Sequence, residues 1–209
     1  MLLLISWLFL NQETNSKWWT FEEPMVKKGM VQMLCIQEIK REHVNKELCQ
    51  ALWGDSGVQW VALHAMHISG GLFCMWCSDF FELSNSILCN GFILLEGIWK
   101  DVGVEVIMRC VWESIKEAKR KSSNSLWCIF EDFNSIRSPS ERQGVVVWSI
   151  PLVGRKFTWY RPNGRSKSRL DRVLVSKEWL GSSTGSTKFV LERNFSNQCP
   201  ILIKNGNID

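Results

Sequence analysis

Short apolar runs broken by Gly, Asn, Ser and Asp clusters dominate the chain, and by length and flanking breakers they read as strands more often than as helices. Residues 32–37, 59–63, 72–76, 92–99 and 104–109 each have the length of a buried strand. Residues 2–10 are apolar apart from Ser6 and predict a buried first strand. They are too short to span a bilayer, and they lack the basic start and small-residue cleavage site of a signal peptide. Helical spacing is carried by Val44, Leu48, Ala51 and Leu52, and again by Val111, Trp112, Ile115 and Ala118. The second set is followed by Lys119-Arg120-Lys121 and the breaker Ser122-Ser123-Asn124. A further strand at 126–130 runs into Glu131-Asp132-Phe133-Asn134. Residues 156–160 and 170–175 predict two more strands, paired as a hairpin whose long tip holds the Pro-Asn-Gly turn at 162–164. The Gly/Ser/Thr run at 181–187 reads as a flexible loop. Successive strands without helices between them predict antiparallel pairing. With no repeat or linker in 209 residues, the expectation is a single domain over 1–209.

Composition narrows this picture. Twelve Trp against the single Tyr160, spread along the chain, predict aromatic burial throughout one core. The eight Cys sit mostly inside apolar runs, as in Leu34-Cys35-Ile36 and Trp127-Cys128-Ile129, which favours reduced, buried thiols and an intracellular address, nuclear or cytoplasmic. Cys74-Met75-Trp76-Cys77 has the spacing of a zinc or redox half-site, but no second such pair follows at a finger-like distance. His64 and His67 read as part of a surface turn. A formal charge of +4 is too small to identify a partner by itself.

Several motifs, collinear along the chain, share one source. They are Ile5-Ser6-Trp7, Ile36-Gln37-Glu38, Leu52-Trp53-Gly54, Ser69-Gly70-Gly71-Leu72 with Trp76, and Trp127-Cys128-Ile129 before Asp132-Phe133-Asn134. Ser140-Glu141-Arg142, Pro151-Leu152-Val153-Gly154 with Phe157-Thr158-Trp159, Ser168-Arg169-Leu170-Asp171-Arg172 and Cys199-Pro200-Ile201-Leu202 complete the series. Each motif is weak alone; in this order they are strong. Together they resemble the nuclease domain encoded by plant LINE-type (non-LTR) retrotransposons, within the endonuclease/exonuclease/phosphatase superfamily. The resemblance implies an α/β fold of two β-sheets packed face to face and flanked by helices, a DNase I-like four-layer α-β-β-α sandwich. It also implies Mg²⁺-assisted phosphodiester hydrolysis on DNA, or RNA, with no membrane and no obligate protein partner.

Site residues follow from the same resemblance. Glu38 takes the place of the family's Mg²⁺-binding carboxylate. Asp132 matches the residue that orients or deprotonates the attacking water, and Asn134 the residue that hydrogen-bonds the phosphate. Alternation along an extended chain puts this pair on one face and Phe133 on the other. Asp171 matches the carboxylate that orients the catalytic His. The closing motif departs from the family: Ser-Asp-His has become Ser196-Asn197-Gln198. Two amides keep hydrogen-bonding capacity, but they carry no charge and exchange no proton as a carboxylate and an imidazole do. Leu8 stands where the family has Asn after Ile-Ser-Trp, and Glu131 stands where it has Gly. The Tyr-Gly-Pro segment is absent around 97–112, and the stretch at 144–151 is shortened, which implies an incomplete sandwich. Such a chain reads as a degenerate, weakly active or inactive Mg²⁺-dependent endonuclease.

The alternative reading is a non-catalytic nucleic-acid-binding remnant. Between Arg155 and Lys177 lie eight Lys or Arg, among them Arg161, Arg165, Lys167, Arg169 and Arg172, against Asp171 alone. With Phe157, Trp159 and Tyr160 interleaved, the strip has the composition of a phosphate-backbone contact surface or, equally, of a solvated hairpin. Other chemistries lack support. Gly54-Asp55-Ser56-Gly57 has no histidine partner in a matching context, and neither a G-x-S-x-G elbow nor a phosphate-binding loop occurs.

Overall fold

The computed structural model describes residues 2–7, 31–39, 44–54, 56–64, 70–89, 91–111, 126–132, 148–161, 165–192 and 197–204. In chain order these form β1 (Leu2–Trp7), β2 (Met33–Ile39), α1 (Lys46–Trp53), β3 (Val58–Leu63), β4 (Gly71–Cys77) and β5 (Phe81–Cys89). Then come β6 (Phe92–Trp99), β7 (Val104–Val111), β8 (Leu126–Asp132), β9 (Trp148–Ser149) and β10 (Leu152–Gly154). The chain continues through β11 (Trp159–Tyr160), β12 (Lys167–Ser168), β13 (Asp171–Val175), α2 (Lys177–Ser182), β14 (Thr187–Val190) and β15 (Ile201–Lys204). One sheet has the order β10-β14-β15-β1-β2-β4-β3, a second β5-β6-β7-β8-β13-β9, and β11 and β12 form a separate ribbon. Both large sheets are mixed: β1 pairs parallel with β2 and β7 parallel with β8, while the hairpin neighbours β3–β4, β5–β6 and β6–β7 are antiparallel as expected.

Period-two alternation explains the layering. Met33 and Cys35 of β2, with Cys74 and Trp76 of β4, face a shared core with Ile93, Leu95 and Trp99 of β6 and with Met108, Cys128 and Phe130 of β7 and β8. The intervening Leu34, Ile36, Phe73 and Met75 turn outward and pack with Cys49, Leu52 and Trp53 of α1. β2 and β4 are therefore covered on both faces, and they read as near-continuous apolar runs for that reason. Asn45 caps α1 by accepting the Leu48 N–H at 3.0 Å, and Gly54 ends it in the left-handed conformation, its N–H donating to the Gln50 carbonyl at 2.7 Å. Trp179 of α2 is buried in the inter-sheet core. The second expected helix, read from Val111, Trp112, Ile115 and Ala118, falls outside the described residues apart from Val111, which closes β7.

Three other expectations change. Ala51 is exposed, and the buried stripe of α1 is Cys49, Leu52 and Trp53, an i, i+3, i+4 set. Strand 170–175 does not pair with 156–160: β13 lies between β8 and β9 instead, and Trp159 and Tyr160 pair with Ser168 and Lys167 in a tighter ribbon. The expected loop at 181–187 is shared between the end of α2 and the start of β14. Among the described residues no helix is long and apolar enough to cross a membrane.

Candidate active site

Glu38 occupies the most unusual backbone position in the described chain. It is the one described non-glycine residue with positive φ, at 61°, and the β2–β4 register slips at this point, Gln37 opposing Leu72 and Ile39 opposing Gly71. A bulge bends its strand and re-aims a side chain. Here it separates Glu38 from the buried Gln37 and Ile39, leaving Glu38 only half-buried. A left-handed Glu costs about 1–3 kcal/mol and persists only where its surroundings impose it. Gly70 is part of those surroundings: a Cβ there would lie 2.4 Å from the Glu38 Cα and 2.6 Å from its carbonyl carbon. The glycine of Ser69-Gly70-Gly71 is thus required by close backbone approach to the expected metal ligand.

Opposite effects are expected at the two positions. Gly70→Ala drives the Glu38 backbone away and destabilises the fold by about 2 kcal/mol or more, within the range of overpacked sites. Glu38→Gly relieves the strain and stabilises by up to about 1 kcal/mol. Urea unfolding of both variants checks this.

The closing motif is held by a short strand-like contact. Tyr160 N–H donates to the Asn197 carbonyl at 2.8 Å, and Cys199 N–H donates to the Thr158 carbonyl at 2.7 Å; between them Gln198 bridges antiparallel to Trp159. Thr158, fully buried, also accepts through Oγ1 from the N–H groups of Leu170 and Asp171, at 3.1 and 3.2 Å. One threonine therefore fastens Cys199, next to Gln198, and the start of β13 to the same point. Asp171 is 1% exposed and Gln198 is 5% exposed, so both residues that Thr158 and its neighbour Trp159 hold are dry. Register adds Asp132, whose Cα is opposite that of Asp171 in the β8–β13 pair. Trp7, at the end of β1, is likewise opposite Gln37, next to Glu38.

Asn134 and Leu8 lie outside the described residues. Of the basic strip, Arg161, Arg165, Lys167 and Arg169 are exposed and Arg172 is half-buried. Arg161 and Lys167 flank the β11–β12 ribbon, with Lys167 Nζ 4.7 Å from the centre of the Phe157 ring. Arg155 is paired to Glu192.

Sequence reasoning missed Thr158 and Lys188 as site residues. Lys188 is opposite Ile203 and shares with Val190 the face that Ile201 and Ile203 turn to the inter-sheet core. Its side chain is fully buried, and Nζ has no hydrogen-bond partner among the described residues. Burial lowers its pKa to about 8, reinforced by Arg169 and Arg172 and opposed by Asp171, so it lies within electrostatic reach of the closing site. A lone Lys in a Gly/Ser/Thr-rich run gives no sign of this. Thr158 left a fainter trace, a small hydroxyl residue between Phe157 and Trp159.

The architecture has solved counterparts. A mannosyl-6-phosphatase of Bacteroides thetaiotaomicron superposes over 98% of this chain and 98% of its own, with a TM-score of 0.67 at 14% identity. An endonuclease/exonuclease/phosphatase from Bacteroides vulgatus gives 0.69 at 10% identity, again covering 98% of both chains. The chain has the endonuclease/exonuclease/phosphatase fold. The human Nocturnin catalytic domain, solved with a bound sulfate anion, also matches, at 0.62 and 13% identity over 97% of this chain and 92% of that one. At such identities the likeness carries the fold alone. No family model and no curated protein matches the sequence.

Proposed function

We propose that the chain is a degenerate Mg²⁺-dependent endonuclease domain of LINE-type retrotransposon origin, whose phosphate-site framework outlasts its proton-transfer chemistry. The observation that carries this reading is the hydrogen-bonded junction at Thr158, which accepts from Cys199 N–H through its carbonyl and from Asp171 N–H through Oγ1, with Gln198 bridged to the adjacent Trp159. In the resembled family this junction is where an acid–base pair would work, and here it presents two amides. Asp171 can still orient a side chain at 198, but Gln198 has no titratable proton to give a leaving oxygen.

The residues present fit a hard cation. Glu38 offers an oxygen ligand on a strained bulge and is the residue that would hold Mg²⁺, with waters completing the shell. The ion, when bound, would supply charge for the developing phosphoryl oxygens. Asp132, across the β8–β13 ladder from Asp171, is the residue assigned to the attacking water, and Asn134 follows it in the chain. Nicking of supercoiled plasmid, with Mg²⁺ or with chelator, tests this. The expected result is a trace of chelator-sensitive nicking that Glu38→Ala abolishes. Nicking indifferent to chelator and to Glu38→Ala overturns the assignment.

The exposed cations of the β11–β12 ribbon favour a second reading, non-catalytic nucleic-acid binding. Affinity for a DNA duplex should then fall steeply with salt, and each of Arg165→Gln and Lys167→Gln should reduce the salt slope by about one. Glu38→Ala should leave that affinity unchanged. Binding insensitive to salt excludes the strip as a contact surface.

A further inference from the structure

Three thiols meet where the sheets face each other. Cys35 and Cys74 are directly opposed in the β2–β4 pair, and Cys110 reaches them from β7 of the other sheet. Cys74 Sγ lies 3.5 Å from Cys35 Sγ and 3.5 Å from Cys110 Sγ, and all three sulfurs fall within 4.8 Å of one another. They are 0%, 1% and 3% exposed. The C-x-x-C spacing at 74–77 has no part in this. Residues three apart on a strand face opposite ways, and Cys77 packs with the outer cluster beside α1.

We propose that Cys35, Cys74 and Cys110 form a three-thiol binding site for a trivalent thiophilic ion of the arsenite class. Geometry admits several soft ions: sulfur bonds of about 2.3 Å, the length thiolates make to zinc, put sulfurs about 3.8 Å apart around a tetrahedral centre and about 3.3 Å apart around a near-right-angled pyramidal one. The observed 3.5 Å lies between. Charge decides. The surrounding core cluster contains Met33, Trp76, Met108 and Cys128, and among the described residues the groups that act electrostatically on Cys35 and Cys110 are other thiols, with no Lys or Arg among them. A zinc ion with three thiolates would carry one net negative charge there, and with Cys128 as a fourth it would carry two, neither compensated. A trivalent ion with three thiolates is neutral. Arsenous acid forms it by exchanging three As–O bonds for three As–S bonds; each thiol proton leaves with a hydroxide as water, and no electron is transferred. A site this dry loads during folding or through local opening.

The test uses the full chain refolded with sodium arsenite or with zinc chloride, freed of excess ion and weighed intact under native conditions. One arsenic per chain is expected, with the loss of three hydrogens. It should be retained in Cys89→Ser, whose thiol is exposed, and lost in Cys110→Ala. Zinc should not be retained. X-ray absorption at the arsenic edge of the unaltered complex gives a reading independent of any variant: three sulfur neighbours and no oxygen support the site. Zinc retained in preference, arsenic that survives Cys110→Ala, or an As–O bond in the complex overturns it.

Discussion

Asn197→Asp combined with Gln198→His is expected to raise Mg²⁺-dependent nicking by about 10²–10⁴-fold, the usual contribution of a positioned acid or base. Either substitution alone should recover far less, because members of one catalytic unit do not contribute additively. On the proposed reading, the scaffold is prepared for these two side chains. Position 198 is anchored by the Trp159 bridge and the Cys199–Thr158 hydrogen bond, and Asp171 is anchored by the same threonine. An imidazole placed at 198 would enter a position only 5% exposed, and on the proposed reading Asp171 is the carboxylate that would fix its tautomer. Plasmid nicking by the double variant, with Glu38→Ala added as a control, measures the gain. If the double variant stays silent while remaining folded and DNA-binding, the defect is not confined to the closing motif. Leu8 and Glu131, the other departures from the pattern that the sequence resembles, become the next positions to substitute.

Particular elements show what could be read from the chain. Residues 92–99 were legible to the residue because β6 alternates cleanly, with Ile93, Leu95 and Trp99 buried. Its neighbour β5 was not. Phe81–Cys89 is an edge strand with Ser84, Asn85 and Cys89 exposed, so its sequence carries no face. β14 was hidden for a related reason: Lys188 is a buried inward residue and breaks the polar–apolar code on which strand reading depends. The mistaken hairpin came from a good turn signal at 162–164 combined with silence about which strands pair, since register depends on partners distant in sequence. At the site, chemistry was nameable and strain was not. The motifs singled out Glu38, Asp171 and the altered closing pair, but the left-handed backbone of Glu38 and the approach of Gly70 appear only when β2 and β4 are side by side. The three-thiol cluster shows the same limit, because Cys35, Cys74 and Cys110 share no local spacing.

Lys188→Met should stabilise the protein at pH 7 by up to about 3 kcal/mol, the free energy that corresponds to a pKa near 8 in place of 10.5. The competing effect is loss of a cation near buried Asp171, since removing one partner of a buried charge pair is ordinarily costly. The direction of the shift decides between them. Asp171 raises the Lys188 pKa, yet burial and Arg169, with Arg172, outweigh it, so the ammonium is held at a net loss even with the carboxylate nearby. Arg169 and Arg172, close to Asp171 in the chain, remain when Lys188 is gone. The pH dependence follows with a definite sign. Below pH 8 Lys188 is protonated in both folded and unfolded chains, and the penalty is fully present. Between pH 8 and 10.5 the unfolded chain binds the proton that the folded chain has released, so stability rises with pH at up to about 1.4 kcal/mol per unit. Urea unfolding of the parent and of Lys188→Met at pH 7, 8, 9 and 10 isolates this contribution, because every other titrating group is common to both. The two curves should converge as pH rises. A variant less stable than the parent at pH 7, or curves that stay parallel, would mean that Lys188 is instead the counter-ion on which burial of Asp171 depends.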